Sequence, residues 1–224
     1  TADAPALTWV TVSSTVSVKT PSFTCSSSKV PAGCPVEVKY SPGCISHCHS
    51  SIMSGPAVPA ALAQACQQML NDDVPWADAH LSGWDEVFKA FGAKPKRTPC
   101  SATALRKRVL KDCSLPSLDP VVDIYNAVSV RYAIPVGGEN LAAYSGAPRL
   151  TLADGSEPFD TFKEGEPVVE HSEPGEVIWR DDLGVTCRRW NWRQGIRTRL
   201  DSQAQSMWFI LESLPSMPLA ALEE

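Results

Sequence analysis

Four residues on one stretch of the chain have groups that could hold a ligand: Asn126, Gly137, Gly138 and Glu139. Two adjacent glycines leave backbone N–H groups open to a ligand oxygen, because no side chain covers them. Asn126 offers a donor and an acceptor, and Glu139 could orient a water molecule or bind an amino group. The same residues also fit an ordinary turn with a solvated carboxylate. The pattern predicts a candidate pocket and leaves the purely structural interpretation open.

A second candidate is the run 188–193, which combines cationic and aromatic side chains. The period-two alternation of a strand places Arg188, Trp190 and Trp192 on one face. Aromatic faces can stack on a nucleobase, and arginine can contact a phosphate or an aromatic ring. A tryptophan in a strand is more often part of the core, so packing is the alternative for both indoles. The predicted pocket-lining residues are Asn140, Arg188, Trp190, Asn191 and Trp192.

Cysteine and histidine allow two further kinds of site. Residues 25–59 contain four cysteines, Cys25, Cys34, Cys44 and Cys48. Zinc prefers thiolate and imidazole ligands, and His47 and His49 flank the last of these cysteines. A second cysteine pair at short spacing is absent, so zinc, a disulfide and free thiols all stay open for this segment. No motif places a base beside a thiol, and we expect neither a metal nor a cofactor.

A capped helix should lead into the glycine pair. Asp119 can accept from the free N–H groups of a helix start, and Pro120 fits the next position. Pro135 should end this helix, and the glycines should then form an exposed turn that presents Glu139 and Asn140. The predicted buried face of the helix consists of Val121, Ile124, Tyr125, Val128 and Tyr132.

The other elements are predicted from hydrophobic period and turn residues. Helices are expected over residues 57–70, 84–91 and 100–111. In the third of these helices the predicted inward side chains are Ala104, Leu105, Val109 and Leu110. Strands are expected within 5–24 and over 148–153, 177–180, 185–192 and 207–211. Residues 25–59 should be irregular, and 214–224 should be a loose tail.

Three separated motifs resemble a known family. Val-Asp-Ile-Tyr-Asn-Ala-Val is followed by Pro-Val-Gly-Gly-Glu-Asn at 135–140, and Ala-Phe-Gly-Ala-Lys-Pro-Lys-Arg precedes both at 90–97. The third motif is Gly-Glu-Val-Ile-Trp-Arg-Asp-Asp-Leu-Gly-Val-Thr-Cys-Arg-Arg-Trp-Asn-Trp-Arg at 175–193. Together they resemble the B3/B4 domain, the editing domain of the phenylalanyl-tRNA synthetase beta subunit, and more closely its freestanding relatives. The resemblance covers residues 84–214.

The resemblance implies an α/β fold of the α+β type, with a mixed β-sheet packed by helices. Residues 81–214 would form the tRNA-binding and editing domain, 1–80 would pack onto it or belong to it, and 215–224 would be the tail. The implied activity is hydrolysis of misacylated aminoacyl-tRNA in trans, which makes the protein an aminoacyl-tRNA deacylase. Asn126, Gly137, Gly138 and Glu139 would then serve the reacting end.

The chain also departs from the synthetase. The synthetase's editing loop carries a histidine after its Pro-x pair, whereas here Pro135-Val136 is followed by Gly137. A non-catalytic tRNA- or RNA-binding module is therefore the main alternative. A protein that binds free amino acids is a third possibility.

Charge is distributed unevenly along the sequence. The formal net charge is −5 with a pI near 5.4, which argues against a protein that coats nucleic acid over its whole surface. However, every charged residue from Lys89 to Lys111 and from Arg188 to Arg199 is basic. Residues expected to contact tRNA phosphates are Lys94, Lys96, Arg97 and Arg193. Neither a secretory signal nor a run of about 20 apolar residues is present, so we expect a cytoplasmic protein without a membrane partner.

Overall fold

A computed structural model describes residues 7–17, 36–42, 57–200 and 204–224. Its helices are α1 (Ala57–Asn71), α2 (Ala77–Ala90), α3 (Ser101–Asp112), α4 (Pro120–Tyr132) and α5 (Leu219–Glu223). Its first strands are β1 (Leu7–Ser17), β2 (Val36–Pro42), β3 (Val136–Asn140), β4 (Arg149–Leu152) and β5 (Pro158–Lys163). The remaining strands are β6 (Glu166–His171), β7 (Val177–Arg180), β8 (Val185–Arg188), β9 (Arg193–Gln194) and β10 (Ser206–Ser213).

Two four-stranded sheets and a hairpin contain all the strands of the described residues. The first sheet has the order β2-β1-β10-β3, and it is mixed because β1 and β2 run parallel while the other pairs are antiparallel. The second sheet has the order β4-β7-β8-β9, and β5 and β6 form the hairpin. The expected α+β fold with a mixed sheet is confirmed. Within the strand region expected over 5–24, β1 lies at Leu7–Ser17, and the rest falls outside the described residues.

Helix α4 begins and ends for the reasons that its sequence suggests, with one difference. The Asp119 carboxylate accepts a hydrogen bond from the Val121 N–H at 2.9 Å, so it caps the helix as predicted. The helix ends at Tyr132, because Ala133 adopts a left-handed conformation with φ 53°. Pro135 follows outside the helix.

The predicted buried face of α4 is partly wrong. Val121 is buried as expected, but Ile124 is exposed and Asp123 is buried. Asp123 accepts hydrogen bonds from the Leu118 N–H and the Ser117 hydroxyl. Its buried carboxylate therefore provides the acceptor for both donors in the segment that precedes the helix.

The exposed glycine turn predicted after α4 is also wrong. Residues Val136–Asn140 form β3, which pairs with β10, and neither glycine has a positive φ. Glu139, expected on the surface, is buried. The glycines are therefore not needed for a turn. Gly138 allows close packing, and Gly137 leaves open space beside the strand.

The first sheet lies between a helical layer and the second sheet. On one face, Tyr125 of α4 packs against Phe209 of β10. On the other face, Trp208 of β10 meets Trp179 of β7, with ring centroids 5.4 Å apart. Helix α2 closes this second core layer through Trp84, whose ring lies 5.6 Å from that of Trp190.

Three further expectations change in the structure. In α3, Ala104 and Leu110 are exposed, because the helix instead buries Arg106, which binds Asp73 and the carbonyl of Val130. The expected second helix is longer and begins at Ala77. The C-terminal segment is not loose, since Met217 and Leu222 are buried against Ile134 and Val136.

The N-terminal cysteines lie outside the described residues, so the structure does not bear on zinc or disulfide pairing there. One stretch expected to be irregular, 36–42, is strand β2. Within the described residues no cluster of metal ligands occurs, and none of the helices is long and apolar enough to cross a membrane.

Candidate functional site

One face of the first sheet carries two buried carboxyl groups. In the β3–β10 ladder Glu139 is opposite Trp208, and Gly137 is opposite Ile210. Glu212 donates its backbone N–H to the Pro135 carbonyl, which continues the same pairing by one step. Directly opposed residues share a face, so Glu139 and Glu212 both point toward the second sheet, with Gly137 between them.

Glu139 is held from the second sheet and the loop after it. Its Oε1 atom accepts from Gln194 Nε2 and from the Thr198 hydroxyl, each at 3.3 Å. Its Oε2 atom is buried without a hydrogen-bond partner among the described residues. Burial raises the pKa of this carboxyl to about 8, although Gln194 and Thr198 favour the ionised form. The Thr186 hydroxyl adjoins the carboxyl but does not reach it in hydrogen-bond geometry.

Glu212 has more donors. Its Oε1 accepts from the indole N–H groups of Trp190 at 2.6 Å and Trp179 at 3.2 Å, and its Oε2 accepts from Asn191 Nδ2 at 2.9 Å. Burial raises the pKa of Glu212 to about 7, and the three donors oppose that rise. Because Glu212 takes the Asn191 N–H, the orientation of that amide is fixed. Asn191 Oδ1 is then buried without a partner in the described part of the chain.

The space over Gly137 is open. A Cβ atom built on Gly137 would meet nothing within 4 Å. Cys187 of the second sheet lies near both carboxyl groups, and its ladder partners Trp179 and Gln194 reach the first sheet. Burial raises the pKa of the Cys187 thiol well above its ordinary value, and the Glu139 and Glu212 carboxylates raise it further. Open space over Gly137 therefore lies on the sheet face that carries Glu139 and Glu212, near a neutral thiol.

Gly138 faces the opposite side of β3 and has no such space. A Cβ there would lie 2.6 Å from Leu200 Cδ1 and 3.0 to 3.1 Å from the rings of Phe209 and Tyr125. This glycine allows α4 and the segment around Leu200 to pack closely on the strand. Its carbonyl accepts from Gln194 Nε2 at 2.8 Å, which ties β3 to the second sheet.

The expected alternation along 188–193 is interrupted. Strand β8 ends at Arg188, and the next two residues, Arg189 and Trp190, have positive φ values of 48° and 67°. This strained backbone is held by the Arg189 N–H on the Glu176 carboxylate and by the Trp190 N–H on the Val177 carbonyl. The run is therefore an arch at the end of a strand, and its side chains do not share one face.

The pocket-lining residues predicted in this arch separate into different roles. Trp190 is core, at 1% exposed, and its indole N–H donates to Glu212. Arg188 is buried in ion pairs with Glu176 and Glu170, so its cation is already neutralised. Asn191 faces the Glu212 side of the opening through its fixed amide.

The other predicted residues lie farther from the two carboxyls. Asn126 is half-buried on α4, whose Tyr125 packs on the opposite face of the sheet, and it makes no hydrogen bond with Glu139. Asn140 caps the short turn Leu141–Ala143 by accepting from the Ala142 N–H. The predicted phosphate-binding residues are exposed: Lys94, Lys96, Arg97 and Arg193. Trp192 is half-buried, with Arg189 and Arg193 guanidinium groups near its ring.

Sequence reasoning missed Glu212, Gln194, Thr198 and Cys187. One signal could have indicated Glu212. In the apolar strand Met207–Leu211, period-two counting puts Trp208 and Ile210 inward, and the next inward position is this glutamate. A carboxylate at an inward position of a buried strand is rare unless it is paired or functional.

Comparison with known proteins gives one positive result. The family model of the B3/4 domain matches residues 83–220, which covers α3, α4, both carboxyl groups and the whole second sheet. A comparison with curated proteins finds no match. Since the matched segment is more than half of the chain and contains the motifs singled out in the sequence, the chain belongs to the B3/4 domain family.

Proposed function

We propose that this protein binds the aminoacylated end of a tRNA and hydrolyses the ester of a wrongly attached amino acid. The observation that supports this most directly is the unpartnered Oε2 atom of Glu139 beside the open space over Gly137. A buried carboxylate oxygen without a donor is costly, and a bound ammonium group would satisfy it. A cytoplasmic location belongs to the same proposal.

The α-ammonium group of an aminoacyl ester suits this carboxylate. Burial raises the pKa of Glu139 to about 8, so the free site is mostly protonated near neutral pH. An ammonium partner favours the ionised form and therefore lowers that pKa. Binding of the cation and ionisation of Glu139 thus reinforce each other.

Hydrolysis then requires few protein groups. Water adds to the ester carbonyl carbon, the bond from that carbon to the ribose oxygen breaks, and the ribose oxygen takes a proton. With the ammonium fixed on Glu139, the ester is oriented relative to an attacking water, and orientation alone contributes substantially to such a reaction. Exposed Lys94, Lys96, Arg97 and Arg193 would contact tRNA phosphates.

One observation favours a second function, binding of aminoacyl-tRNA without hydrolysis. His80 is buried with both ring nitrogens occupied, Nδ1 by the Ala133 carbonyl and Nε2 by the Leu214 N–H. His171 is exposed at the end of β6. Of the two histidines in the part of the chain that the structure describes, His80 is therefore not free to act as a base over Gly137.

A deacylation assay over a panel of misacylated tRNAs separates these two functions. We expect release above the spontaneous rate for at least one amino acid, and we expect Glu139→Gln to lower kcat/KM about 10²- to 10⁴-fold. The wild-type kcat/KM should rise with pH through about 8 as Glu139 ionises, and the variant should lack this rise. Glu166→Gln, an exposed glutamate in β6, is the matched control and should behave like the wild type.

The two proposals have different failure modes. If no tRNA in the panel is deacylated above the spontaneous rate while tRNA binding is intact, the catalytic proposal is wrong and the binding module is favoured. If hydrolysis occurs but Glu139→Gln and Glu166→Gln are equally active, the assignment of Glu139 is wrong.

A further inference from the structure

Five arginines lie between Arg188 and Arg199, and most of them are neutralised inside the protein. Arg188 pairs with Glu176 at 2.7 Å and Glu170 at 3.2 Å. Arg197 donates two hydrogen bonds of 2.8 Å to Asp181. Arg189 is 3.7 Å from the same Glu176 carboxylate, with 22% of its side chain exposed. These three cations therefore hold the second sheet together and have little charge to offer a ligand.

Arg193 and Arg199 differ from the other three. Both are exposed, and neither makes an ion pair with any described residue. Each guanidinium lies over an aromatic ring: Arg193 is 5.6 Å from the Trp192 centroid, and Arg199 is 5.8 Å from the Phe162 centroid. Phe162 is 40% exposed, so part of its ring is accessible from solution.

In both pairs the arginine is adjacent in sequence to a residue that donates a hydrogen bond to Glu139. Arg193 precedes Gln194, and Arg199 follows Thr198, and these two polar side chains donate to the same Oε1 atom of Glu139. The backbone of Arg199 also forms a β-bridge with Glu139 itself. The two arginines are therefore attached to the frame of the proposed reaction site.

We propose that Trp192 with Arg193 and Phe162 with Arg199 form two stacking sites for the unpaired nucleotides at the end of an RNA strand. A flat aromatic ring accepts any base by stacking, and a guanidinium group can both stack and contact phosphate. The inference rests on the proposed function, and it adds the residues that receive the RNA beside the carboxyl site. Phe162 and the hairpin β5–β6 thereby gain a role in ligand binding.

The test measures binding of a short single-stranded RNA that carries no amino acid by fluorescence anisotropy, because this readout does not depend on ester hydrolysis. Phe162→Ala should weaken binding about 5- to 150-fold, the range expected for the loss of one base-stacking contact. Phe162→Trp should retain the wild-type affinity. Arg199→Lys should also weaken binding, because the charge stays while the planar stacking group is lost. Leu183→Ala removes a similarly exposed apolar side chain from another hairpin and should bind like the wild type.

Hydrolysis of a small amino-acid ester without RNA separates this proposal from the proposed function. Phe162→Ala should leave that hydrolysis unchanged, whereas Glu139→Gln should abolish it. If Phe162→Ala and Arg199→Lys bind RNA as tightly as Leu183→Ala, the stacking proposal is overturned, whatever the outcome for hydrolysis. If RNA binding falls as expected and no ester is cleaved, the stacking proposal stands and the hydrolytic function fails.

Discussion

At the scale of single residues, the adjacent glycines of β3 have opposite environments. Gly137 faces open space between two carboxyl groups, while Gly138 is enclosed by Leu200, Phe209 and Tyr125. Neither glycine has a positive φ, so a side chain at either position is limited only by its surroundings. A side chain at Gly137 would therefore enter the space of the proposed ligand, whereas a side chain at Gly138 would disturb the packing of the fold.

Alanine at each position should have a different effect. Gly138→Ala should lower the free energy of unfolding by about 1–3 kcal/mol, because the new methyl group overpacks the contact between α4 and the strand. Gly137→Ala should not destabilise the protein, because its methyl group enters open space. Urea unfolding of the two variants measures both effects.

The same pair tests the position of the site. Gly137→Ala should raise KM for hydrolysis of the aminoacyl-tRNA substrate, or weaken binding of aminoacyl-tRNA, since its methyl group occupies the proposed ligand space. If Gly137→Ala has the stability and the substrate affinity of the wild type, the open space is not where the ligand binds.

At the scale of elements, His80 connects α2 to two other parts of the fold. Its Nδ1–H donates to the Ala133 carbonyl at the end of α4, and its Nε2 accepts from the Leu214 N–H just after β10. Both partners are backbone groups buried in the protein, and a single imidazole satisfies them. Since α4 leads directly into β3, this link also fixes the strand that carries Glu139.

His80→Ala should cost about 2–5 kcal/mol of unfolding free energy, because it leaves a cavity and two unpaired backbone groups. His171→Ala, an exposed histidine, is the control and should change stability by less than about 0.5 kcal/mol. Urea unfolding at pH 8 provides the comparison, and equal stability of the two variants would contradict the structural role of His80.

The His80 contribution should depend on pH in a defined direction. Burial lowers the pKa of His80 below its ordinary 6.5, so the folded state stays neutral where the unfolded chain takes up a proton. The stabilisation by His80 is therefore full above pH 6.5 and is lost as the pH falls through and below that value. The stability difference between wild type and His80→Ala should shrink from pH 8 to pH 5.

Local signals in the sequence predicted where helices and turns lie better than they predicted which faces of those elements are buried. The Asp119 cap and the Asp181–Gly184 hairpin were predictable, because each depends on residues close in sequence. The orientation of α3 was not, because Arg106 is drawn inward by Asp73, 33 residues away. The glycine pair looked like a turn because its pairing with β10 is a contact between distant segments. The arch at Arg189 was hidden for the same reason, since Glu176 and Glu212 hold it.

At the scale of the whole molecule, the first sheet extends beyond the segment that matches the family. Residues 83–220 supply β3 and β10, whereas β1 and β2 come from the N-terminal part and add to the free edge of β10. The register runs from Val10 opposite Ser213 to Ser17 opposite Ser206. We propose that residues 1–80 form one folding unit with the B3/4 domain, because this pairing satisfies the backbone of a central strand.

Removal of residues 1–56 should therefore destabilise the protein and promote association. The truncation exposes the N–H and C=O groups of β10 over a long, apolar edge, which other chains can pair with. Removal of residues 1–6, which precede β1, is the control. Thermal unfolding combined with size-exclusion chromatography measures both effects, and a monomeric truncation with unchanged Tm would show that the N-terminal part is a separate unit.

The hydrogen bonds of Glu212 give the protein its own optical probe. One carboxylate oxygen touches the indole N–H groups of both Trp179 and Trp190, so the charge on that oxygen acts on two chromophores at once. Burial raises the pKa of Glu212 to about 7, and a cation bound over Gly137, as proposed above, would change how fully the carboxyl is ionised. Tryptophan emission can therefore follow occupancy of the site without a label and without turnover.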